Sequence, residues 1–395
     1  MKDLLFLVHR IPYPPNKGDK IRSYNFLKHL VAEYNVYLGA FIDDANDWQY
    51  TEKLDELCKE THFQGLNPLP AKIKSLPGLL TGEALSLPYY RNQAMQTWVD
   101  STIKNHGIKK VLIFSSTMAQ YINSSHAVDM IVDFVDVDSD KWRQYAEKKH
   151  GIQKWIYQRE AAYLFKYEQK IAEQAKVSSF VSEMEAALFK SMAPALSHKI
   201  THINNGVDTD YHAPELSLPS PYSADEMSLV FTGAMDYWAN VDAVKWFAEA
   251  VFPAISAQHA TAKFYIVGSK PTKEVQDLAG MPNVIVTGAV PDVRPYVAHA
   301  KLAVAPLRIA RGIQNKVLEA MALGKYVLAT SAAMEGIAYD QTLQISVADQ
   351  ADSFADAANQ LLAEPGSLDS LQNREFVKTH FSWQQSIDSL LALLQ

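Results

Sequence analysis

Short apolar runs alternate along the chain with longer segments in which apolar residues recur at helical spacing. The runs are mostly free of charge, which is typical of strands buried on both faces of a parallel sheet. The predicted strands are 4–8, 36–42, 62–66, 110–115, 130–134, 177–181, 200–203, 228–232, 263–268, 283–287, 301–306 and 326–330. The predicted helices include 20–33, 51–59, 92–106, 151–176, 312–324 and 381–395. This alternation predicts an α/β protein.

The alternation stops in a polar, proline-marked stretch and begins again at residue 228. A chain of 395 residues with 48% apolar residues is too long for one ordinary core and suits two Rossmann-like domains. The predicted division is a first domain at 1–205, a linker at 206–225, a second domain at 226–378 and a C-terminal helix at 379–395. We expect Ser182 with Glu185 to cap one helix, and Ser382 to cap the last.

Charge and cysteine content exclude several classes of protein. The net charge of −7 has no basic tail to offset it, so nucleic acid is not an expected partner. The single cysteine, Cys58, rules out disulfides within the chain. The apolar run near the N-terminus is too short for a signal peptide, and no window approaches the roughly 20 apolar residues of a membrane helix. We therefore expect a cytoplasmic protein.

One crossover unit, residues 301–331, carries most of the candidate chemistry. An apolar strand is followed by a loop, by a helix expected between Gly312 and Gly324, and by a second strand. A helix that begins at the carboxyl end of a parallel strand points its unpaired N–H groups at the ligand position, which favours phosphate. This segment therefore predicts an anion site.

Four side chains around this helix indicate which phosphate compound binds. Arg308, Arg311 and Lys316 bring positive charge to the anion site. Glu319 lies one turn into the helix, where its carboxylate can accept hydrogen bonds from sugar hydroxyls. A ligand that carries both a phosphate group and the diol of a sugar would be a nucleotide. The alternative is that these basic residues belong to a solvated loop.

The loop after the first strand, HRIPYPPNKGDKIR at residues 9–22, is a second candidate site. Its three prolines stiffen it, and Gly18 lacks a side chain where a backbone could approach a diphosphate. A rigid connector is the alternative interpretation.

An acidic cluster follows the strand at 130–134. Asp133, Asp136, Asp138 and Asp140 crowd the start of a helix. The Asp136-Val137-Asp138 triplet has the form that binds a divalent metal and a diphosphate in a different transferase fold. Alternatively, Asp136 or Asp138 orients an acceptor hydroxyl, and Asp140 is a helix N-cap.

Residues 67–91 interrupt the alternation with four prolines and mix basic with apolar residues. Such a segment can contact an anionic membrane surface. A packed insertion is the alternative, which we favour.

The segment PLRIARGIQNKVLEAMALGK, residues 306–325, resembles the donor-binding signature of family 4 of the retaining glycosyltransferases. In that family two glutamates separated by seven residues flank the start of this helix. Glu319 matches the second glutamate, which holds the ribose of a nucleotide sugar. The resemblance places four further residues against the diphosphate and the sugar: Gly312, Ile313, Gln314 and Asn315.

Arg311 stands in the place of the first glutamate, which contacts the transferred sugar in family 4. Two roles remain open for it, because a guanidinium binds either a phosphate or a carboxylate on an acidic donor sugar. The form P-L-R, glycine-rich loop, K-x-L-E-A-M-A resembles a subgroup of the family.

The segment TGAMDYWANVD, residues 232–242, is similar to the family loop whose arginine and lysine clamp the diphosphate. Ala234 and Ala239 stand where those cations are expected. Four residues fit the family pattern: Gly233, Asp236, Asn240 and Asp242. Our hypothesis is that Arg308 and Lys316, with Arg311, take over the clamp.

The first loop also resembles the glycine-bearing loop of these transferases. By this resemblance Lys17 and Gly18 face the donor, while Asp19 and Arg22, with Asp136 and Asp138, lie on the acceptor side. The segments DFVDVDSDKW, YQREAAYLFKYEQKIA and FVSEMEAALF resemble a narrower group of sugar transferases from bacterial exopolysaccharide gene systems, the exosortase-associated (PEP-CTERM) group.

The resemblance implies the GT-B fold, in which two Rossmann-like domains face across a cleft and a C-terminal helix returns to the first domain. It implies transfer of a sugar from a nucleotide diphosphate sugar to a hydroxyl acceptor, a glycan or lipid-linked glycan, with retention. No metal and no cofactor beyond this co-substrate is expected. Peripheral contact with the inner face of a membrane would use residues 67–91.

Two other functions remain open. A sugar-nucleotide epimerase shares this fold and would need paired carboxylates for acid–base chemistry, which the acidic cluster offers. A non-catalytic nucleotide-sugar-binding protein would explain the missing clamp residues.

Overall fold

The computed structural model describes residues 1–15, 18–147, 149–214, 217–310, 312–364 and 368–395. The chain divides into two compact units, residues 1–205 with 386–395, and residues 206–385. Two residues of the candidate site, Lys17 and Arg311, lie outside the described residues. No helix among the described residues has the length and apolar character needed to cross a membrane.

The first unit is built on a parallel sheet of seven strands. The strands are β1 Lys2–Val8, β2 Tyr34–Ile42, β3 Glu60–Gly65, β4 Lys110–Phe114, β5 Asp129–Val135, β6 Val177–Phe180 and β7 Ile200–His202. Their order across the sheet is β3-β2-β1-β4-β5-β6-β7. The apolar residues 4–8 have no exposed surface, because β1 is central and pairs with β2 and β4 while helices cover both faces.

Nine helices of the described first unit connect these strands. They are α1 Gly18–Glu33, α2 Thr51–Leu57, α3 Pro68–Ser75, α4 Gly78–Thr81, α5 Ser86–Tyr90, α6 Gln93–His106, α7 Asp138–Glu147, α8 Gly151–Gln174 and α9 Glu183–Met192. Short 3-10 turns lie at Ala45–Tyr50, Ser116–Tyr121 and Pro194–Lys199. The Ser182 side chain accepts a hydrogen bond from the Glu185 N–H at 3.2 Å, so the predicted cap of α9 is present.

The second unit repeats the architecture with six parallel strands. They are β8 Met227–Thr232, β9 Ala262–Val267, β10 Val284–Gly288, β11 Leu302–Ala305, β12 Val327–Ala329 and β13 Ile345–Val347, in the order β10-β9-β8-β11-β12-β13. The helices are α10 Trp238–Trp246, α11 Phe252–Gln258, α12 Lys273–Asp277, α13 Arg294–His299, α14 Asn315–Ala322, α15 Ala351–Ala363 and α16 Leu371–His380. A π-helical turn, Phe247–Val251, follows α10, and a 3-10 turn, Leu278–Gly280, follows α12.

The last helix, α17 Trp383–Leu393, begins directly after Ser382. From Ser386 onward its residues belong to the first unit, where the Ser386 hydroxyl donates to the Asn204 carbonyl at 2.7 Å. The predicted α/β fold of two Rossmann-like sheets with a returning C-terminal helix is confirmed.

Every predicted strand is present with ends shifted by at most two residues, and β13 was not predicted. The helix expected at Gly312 is wrong at its start, because α14 begins at Asn315. Gly312 has a φ of +68°, and Gln314 is extended, so neither continues a right-handed helix. Asp140 is likewise not an N-cap, because α7 begins at Asp138 and places Asp140 in its first turn.

Residues 67–91 form the three short helices α3, α4 and α5. The buried carboxylate of Glu160 on α8 accepts hydrogen bonds from the N–H groups of Leu85 and Ser86, at 2.6 and 2.9 Å. Arg159 donates to the carbonyls of Gly78 and Glu83. The favoured interpretation of this segment, a packed insertion, agrees with these contacts.

Candidate functional site

The ammonium group of Lys316 lies at the carboxyl end of the second sheet. Lys316 is the second residue of α14, and its Nζ donates to Asn240 Oδ1 at 2.6 Å. The same Nζ lies 4.1 Å from the centre of the Phe231 ring. Among the described residues, no carboxylate oxygen lies within ion-pair distance of this Nζ. The structure therefore places a cation with a neutral partner at the position where the sequence predicts that an anion binds.

Two glycines make room for this ammonium group. A Cβ atom on Gly233, at the end of β8, would lie 2.7 Å from Asn240 Nδ2 and 3.2 Å from Lys316 Nζ. A Cβ atom on Gly268, just after β9, would lie 1.7 Å from the Gly233 carbonyl oxygen. Glycine is required at both positions by close approach. Asn240 is fixed in turn, because its Nδ2 donates to the Ala234 carbonyl at 2.9 Å.

Enclosure of the ammonium group lowers the pKa of Lys316 to about 7. Burial is the main cause, because it disfavours the charged form, and the nearby negative charge of Glu319 only partly opposes it. A group with this pKa is half protonated in the empty site at neutral pH, and an arriving diphosphate would favour the charged form.

We expect binding of a nucleoside diphosphate at pH 7 to take up about half a proton from solution, because Lys316 becomes fully charged beside the phosphates. Calorimetry in buffers with different ionisation enthalpies measures this quantity. The Lys316→Ala variant is the control and should show no such uptake. Binding without proton uptake by the wild-type protein would contradict this environment for Lys316.

Arg308 lies near this group but is held by a carboxylate. Its Nε donates to Asp242 Oδ2 at 3.0 Å, and the guanidinium carbon lies 5.8 Å from the centre of the Trp246 ring. The hydrogen bond with Asp242 raises the pKa of Arg308. About half of the Arg308 side chain is exposed (48%). Arg308 is thus an oriented cation with a counter-ion, unlike Lys316.

The loop before α14 presents main-chain groups next to this site. The Gly312 N–H points to Glu335 Oε2 at 3.3 Å, and the Gln314 side chain donates to the Gly312 carbonyl at 3.0 Å. Ile313 packs against the backbone at Gly336, where an added Cβ would lie 3.0 Å from its side chain. Glu335 was not predictable from the sequence, because a turn far along the chain brings it to Gly312.

Glu319 lies one turn further along α14, and its negative charge acts on Tyr211, an aromatic residue that no sequence pattern marked. Burial raises the pKa of Tyr211, and the charges of Asp292 and Glu319 add to this effect. The guanidinium carbon of Arg294 lies 3.7 Å from the centre of the Tyr211 ring. The Arg294 guanidinium also donates to both carboxylate oxygens of Asp292. Tyr211 therefore lies within electrostatic range of Glu319, and Arg294 covers one face of its ring.

Asp236 lies apart from these contacts. Its carboxylate is 3.8 Å from Lys270 Nζ, and both side chains are largely exposed. The neighbouring Met235 N–H donates to the Ser269 carbonyl at 2.8 Å, which ties the loop after β8 to the loop after β9. Asp236 therefore lies near the site because it belongs to this loop, and not because it contacts Lys316.

In the first unit, Gly18 begins α1, and a Cβ atom there would meet nothing within 4 Å. The next residue, Asp19, accepts from Arg10 Nη1 at 2.5 Å and lies 3.3 Å from His9 Nε2. Burial alone would raise the pKa of Asp19, but the hydrogen bond with His9 and the charges of His9 and Arg10 hold it well below its usual range. Asp19 is therefore a carboxylate at neutral pH.

Arg22 is fully buried, which corrects its assignment to the acceptor side. Its guanidinium donates to both carboxylate oxygens of Asp133, at 2.7 and 3.0 Å, and to Asn205 Oδ1 at 2.9 Å. Asp133 is also fully buried and accepts from the Ser179 hydroxyl at 2.9 Å. The pair joins α1 to the central strands, so its role is structural.

A cavity of about 690 Å³ lies wholly within the first unit, at the carboxyl ends of β1, β4 and β5. Its polar lining includes His9, Asp19, Ser115, Thr117, Asp136 and Asp138. Its aromatic lining consists of Tyr89, Tyr90, Phe134, Trp142 and Tyr157. Aromatic faces with a few polar groups are typical of small-molecule sites, and hydroxyl-rich ligands use both. Three of the four predicted acceptor-side residues therefore line one cavity, and Arg22 does not.

Backbone conformation also marks this cavity. Ser115 and Val135 line it with φ values of +74° and +69°, which residues with a Cβ rarely adopt. Each residue ends a central strand, and the Ser115 N–H donates to the Asp133 carbonyl at 2.8 Å. Strain of this kind persists where the surrounding structure imposes it, often at functional sites.

The acidic cluster is engaged by neighbouring groups. Lys141 Nζ donates to Asp136 at 2.6 Å and to Asp138 at 3.2 Å, so an ammonium group lies between the two carboxylates. Asp140 accepts from Arg143 Nε at 2.7 Å. Lys141 thus fills the place that a metal ion would take between Asp136 and Asp138. In the described part of the chain, no group of three or more histidine, cysteine or acidic residues is arranged to hold a metal ion.

Two buried carboxylates hold the start of α7 under this cluster. Glu168 accepts from the Ser139 hydroxyl at 2.5 Å and from its N–H at 3.2 Å, and Glu185 accepts from the Val137 N–H at 2.8 Å. Burial, with the negative charge of Asp138, raises the pKa of Glu168 to about 8. Glu168 was not predictable from the sequence, because the helical pattern of α8 gives no sign of its partner Ser139.

The second unit matches a known protein family. Residues 226–364 match the family model of glycosyl transferases group 1. A comparison with curated protein sequences gave no match.

Solved structures share the fold of the whole chain. The sucrose-phosphate synthase of Thermosynechococcus elongatus is similar with a TM-score of 0.69 at 18% identity, over 100% of this chain and 98% of that chain. HepE of Anabaena, in complex with UDP and glucose, has a TM-score of 0.65 at 14% identity, over 100% and 99% of the two chains. WaaG, a glycosyltransferase involved in lipopolysaccharide biosynthesis, has a TM-score of 0.66 at 15% identity, over 99% of each. The chain therefore has the GT-B fold, and the family match supports a glycosyltransferase.

Proposed function

We propose that the protein transfers a sugar from a nucleoside diphosphate sugar to a hydroxyl group of an acceptor, with the donor bound in the second unit. The observation that carries the proposal is the enclosed ammonium group of Lys316, which has a neutral partner at the carboxyl end of the sheet. A buried cation without a counter-ion costs free energy, and a diphosphate at this position would supply the missing charge. This unit also matches glycosyl transferases group 1.

The donor would lie along α14. Lys316 and the main-chain N–H groups near Gly312 would bind the diphosphate, and Glu319 would accept hydrogen bonds from the ribose hydroxyls. Tyr211 offers a flat face for the nucleotide base. The Glu335 carboxylate, which lies at the Gly312 N–H, would contact the transferred sugar. It would thereby take the role of the first family 4 glutamate, whose place in the resemblance is taken by Arg311.

The acceptor would occupy the cavity of the first unit. Its aromatic walls suit the apolar faces of a sugar ring, and the carboxylates of Asp19, Asp136 and Asp138 would accept hydrogen bonds from hydroxyls. The proposed acceptor is a glycan or a lipid-linked glycan used in exopolysaccharide synthesis. This assignment and the proposed location at the inner face of a membrane, with contact through 67–91, rest on resemblance to the narrower bacterial group.

In the proposed reaction, the bond between C1 of the donor sugar and the β-phosphate oxygen breaks, and a bond from C1 to the acceptor oxygen forms. The acceptor proton passes to an oxygen of the departing diphosphate. Lys316 and Arg308 stabilise the negative charge that develops on this leaving group, which favours the transition state over the bound donor. Retention at C1 and independence from metal are proposed by resemblance to family 4.

The first test is thermal stabilisation by a panel of uridine, guanosine and adenosine diphosphate sugars, including a uronic-acid donor. A donor that binds the folded protein should raise its melting temperature, and the Lys316→Ala variant should lose most of this shift. Release of the nucleoside diphosphate on addition of an acceptor, and the configuration of the product at C1 by NMR, then test transfer and retention. Epimer formation or binding without turnover would support the two other functions considered above.

We expect Arg308→Ala to weaken donor binding about five- to tenfold, because a partly exposed guanidinium contributes modestly to phosphate binding. Asp242→Asn should leave donor binding equal or tighter, because Arg308 then lacks its counter-ion. Calorimetric titration measures both, with Lys273→Ala, an exposed lysine on α12, as the control. Unchanged affinity and turnover in Arg308→Ala would remove Arg308 from the proposed clamp.

A further inference from the structure

Helix α3 exposes a row of apolar side chains. Leu69, Ile73 and Leu76 recur at helical spacing on one side, with exposed fractions of 73%, 69% and 53%. The opposite side of α3 buries Ala71 and Ser75. Large apolar residues in a row on a surface are unusual in a soluble protein, because water does not favour them, and such patches mark binding surfaces.

The first turns of α8 expose a second pair of apolar side chains. Ile152 and Trp155 lie three residues apart on one side of the helix, with exposed fractions of 75% and 55%. The residues that follow, Ile156 and Tyr157, line the cavity of the first unit, and so does Ser75 of α3. The two helices that carry the exposed rows therefore border the cavity proposed for the acceptor. We call the five residues Leu69, Ile73, Leu76, Ile152 and Trp155 the rim surface.

The two sequence segments that carry the rim surface contain basic residues and no acidic ones. Residues 67–82 and 149–158 contain no aspartate or glutamate. They contain four lysines: Lys72, Lys74, Lys149 and Lys154. This contrasts with the net charge of −7 for the whole chain. Exposed apolar side chains that lie among lysines, in a protein of net negative charge, complement a partner surface that carries negative groups outside and an apolar layer beneath them.

The rim surface is held in place. Glu160 accepts from the N–H groups of Leu85 and Ser86, and Arg159 donates to the Gly78 carbonyl, so the insertion is fixed to α8 on both sides of α4. The exposed rows thus belong to ordered helices that present a prepared surface.

We propose that the rim surface docks the first unit on an anionic lipid bilayer, and that the acceptor is a sugar carried on a lipid of that bilayer. The lipid chain would remain in the membrane while the sugar enters the cavity beside α3 and α8. The second half of this proposal rests on the proposed function, because it needs the cavity to be the acceptor site. The first half does not.

Vesicle flotation of the full chain tests the docking. The protein should float with vesicles of phosphatidylcholine and phosphatidylglycerol, and not with phosphatidylcholine alone. Raising the salt concentration should weaken binding, because the lysine contribution is screened. Equal binding to both kinds of vesicle, or no binding to either, would overturn the docking.

The variant Leu69→Gln/Ile73→Gln, with Trp155→Gln as a second variant, tests the surface itself. We expect the double variant to partition to anionic vesicles at least about tenfold more weakly, since two apolar side chains no longer enter the lipid. The matched control is Leu371→Gln, an equally exposed leucine (72%) of α16 in the second unit, which should bind as the wild type does. If the wild type instead forms a dimer that the double variant lacks, the rim surface is an interface between copies and the proposal is wrong.

The same variants test the second part of the proposal, that the acceptor is a lipid-linked sugar. Their thermal stabilisation by a donor and their turnover with a water-soluble acceptor should equal the wild type, while turnover with a lipid-linked acceptor in anionic vesicles should fall at least about tenfold. Equal losses with both acceptors would contradict a docking role. If no variant or wild type turns over any donor but flotation behaves as expected, the proposed function fails and the docking stands.

Discussion

Replacement of Lys316 by alanine should lower the turnover of a nucleoside diphosphate sugar by about 10²–10³-fold. A preorganised charge aimed at a leaving group contributes most when water is excluded, and the Lys316 ammonium is enclosed by Phe231, Asn240 and Gly233. The loop at residues 232–242 contains no lysine or arginine that could take its place.

The fold should survive this substitution. The pKa of Lys316 is lowered from its ordinary value of 10.5 to about 7, so the unfolded chain binds more protons than the folded protein between these values. Stability of the empty protein should therefore rise as pH increases from 7 toward 10.5, and removal of the lysine should cancel this rise. At neutral pH the variant should melt at or slightly above the wild-type temperature, so lost turnover would not reflect unfolding.

Steady-state release of the nucleoside diphosphate measures the loss. The control is Lys245→Ala, which removes a partly exposed lysine of α10 paired with Glu274 in the same unit and should change turnover less than about twofold. Turnover within about threefold of the wild type in Lys316→Ala would refute the assignment of Lys316 to the leaving group.

Arg22→Ala should lower the free energy of unfolding by about 3–5 kcal/mol, and Asp133→Ala by a similar amount. Each substitution leaves its partner charged and fully buried, because both side chains have no exposure and share two hydrogen bonds. Asp133 would keep Ser179, and Arg22 would keep Asn205, but neither contact supplies an opposite charge.

Urea unfolding measures these losses. The double variant Arg22→Met/Asp133→Leu should recover most of the stability, because two apolar side chains of similar volume replace the whole pair. The exposed pair of Lys176 and Asp129 in the same unit provides the control, since Lys176→Ala should cost less than about 1 kcal/mol. A stable Arg22→Ala protein with a raised KM for the acceptor would restore Arg22 to the acceptor side.

The candidate site was predictable where its residues are close in sequence. Arg308, Lys316 and Glu319 belong to one crossover unit, and the spacing of strand and helix brings them to the same sheet edge. Tyr211 and Glu335 were not predictable in this way. Glu335 comes to Gly312 from a distant turn, and Tyr211 comes within electrostatic range of Glu319 from a segment without regular structure. No periodic pattern marks such positions.

The sequence by itself determined the alternation of buried strands and helices, because apolar periodicity reflects which faces leave water. The doubling of this pattern was predictable in the same way, and the anion site at α14 stays a prediction. Which charged residues are available to a ligand depends on the tertiary structure, because it sets the groups that each charge faces. Lys316 and Arg22 are both cations near a strand end in the sequence, yet one faces neutral groups and the other faces Asp133. A charge acts most strongly on a ligand when no counter-ion lies next to it, and the distance to the nearest counter-ion is set by packing between elements far apart in the chain.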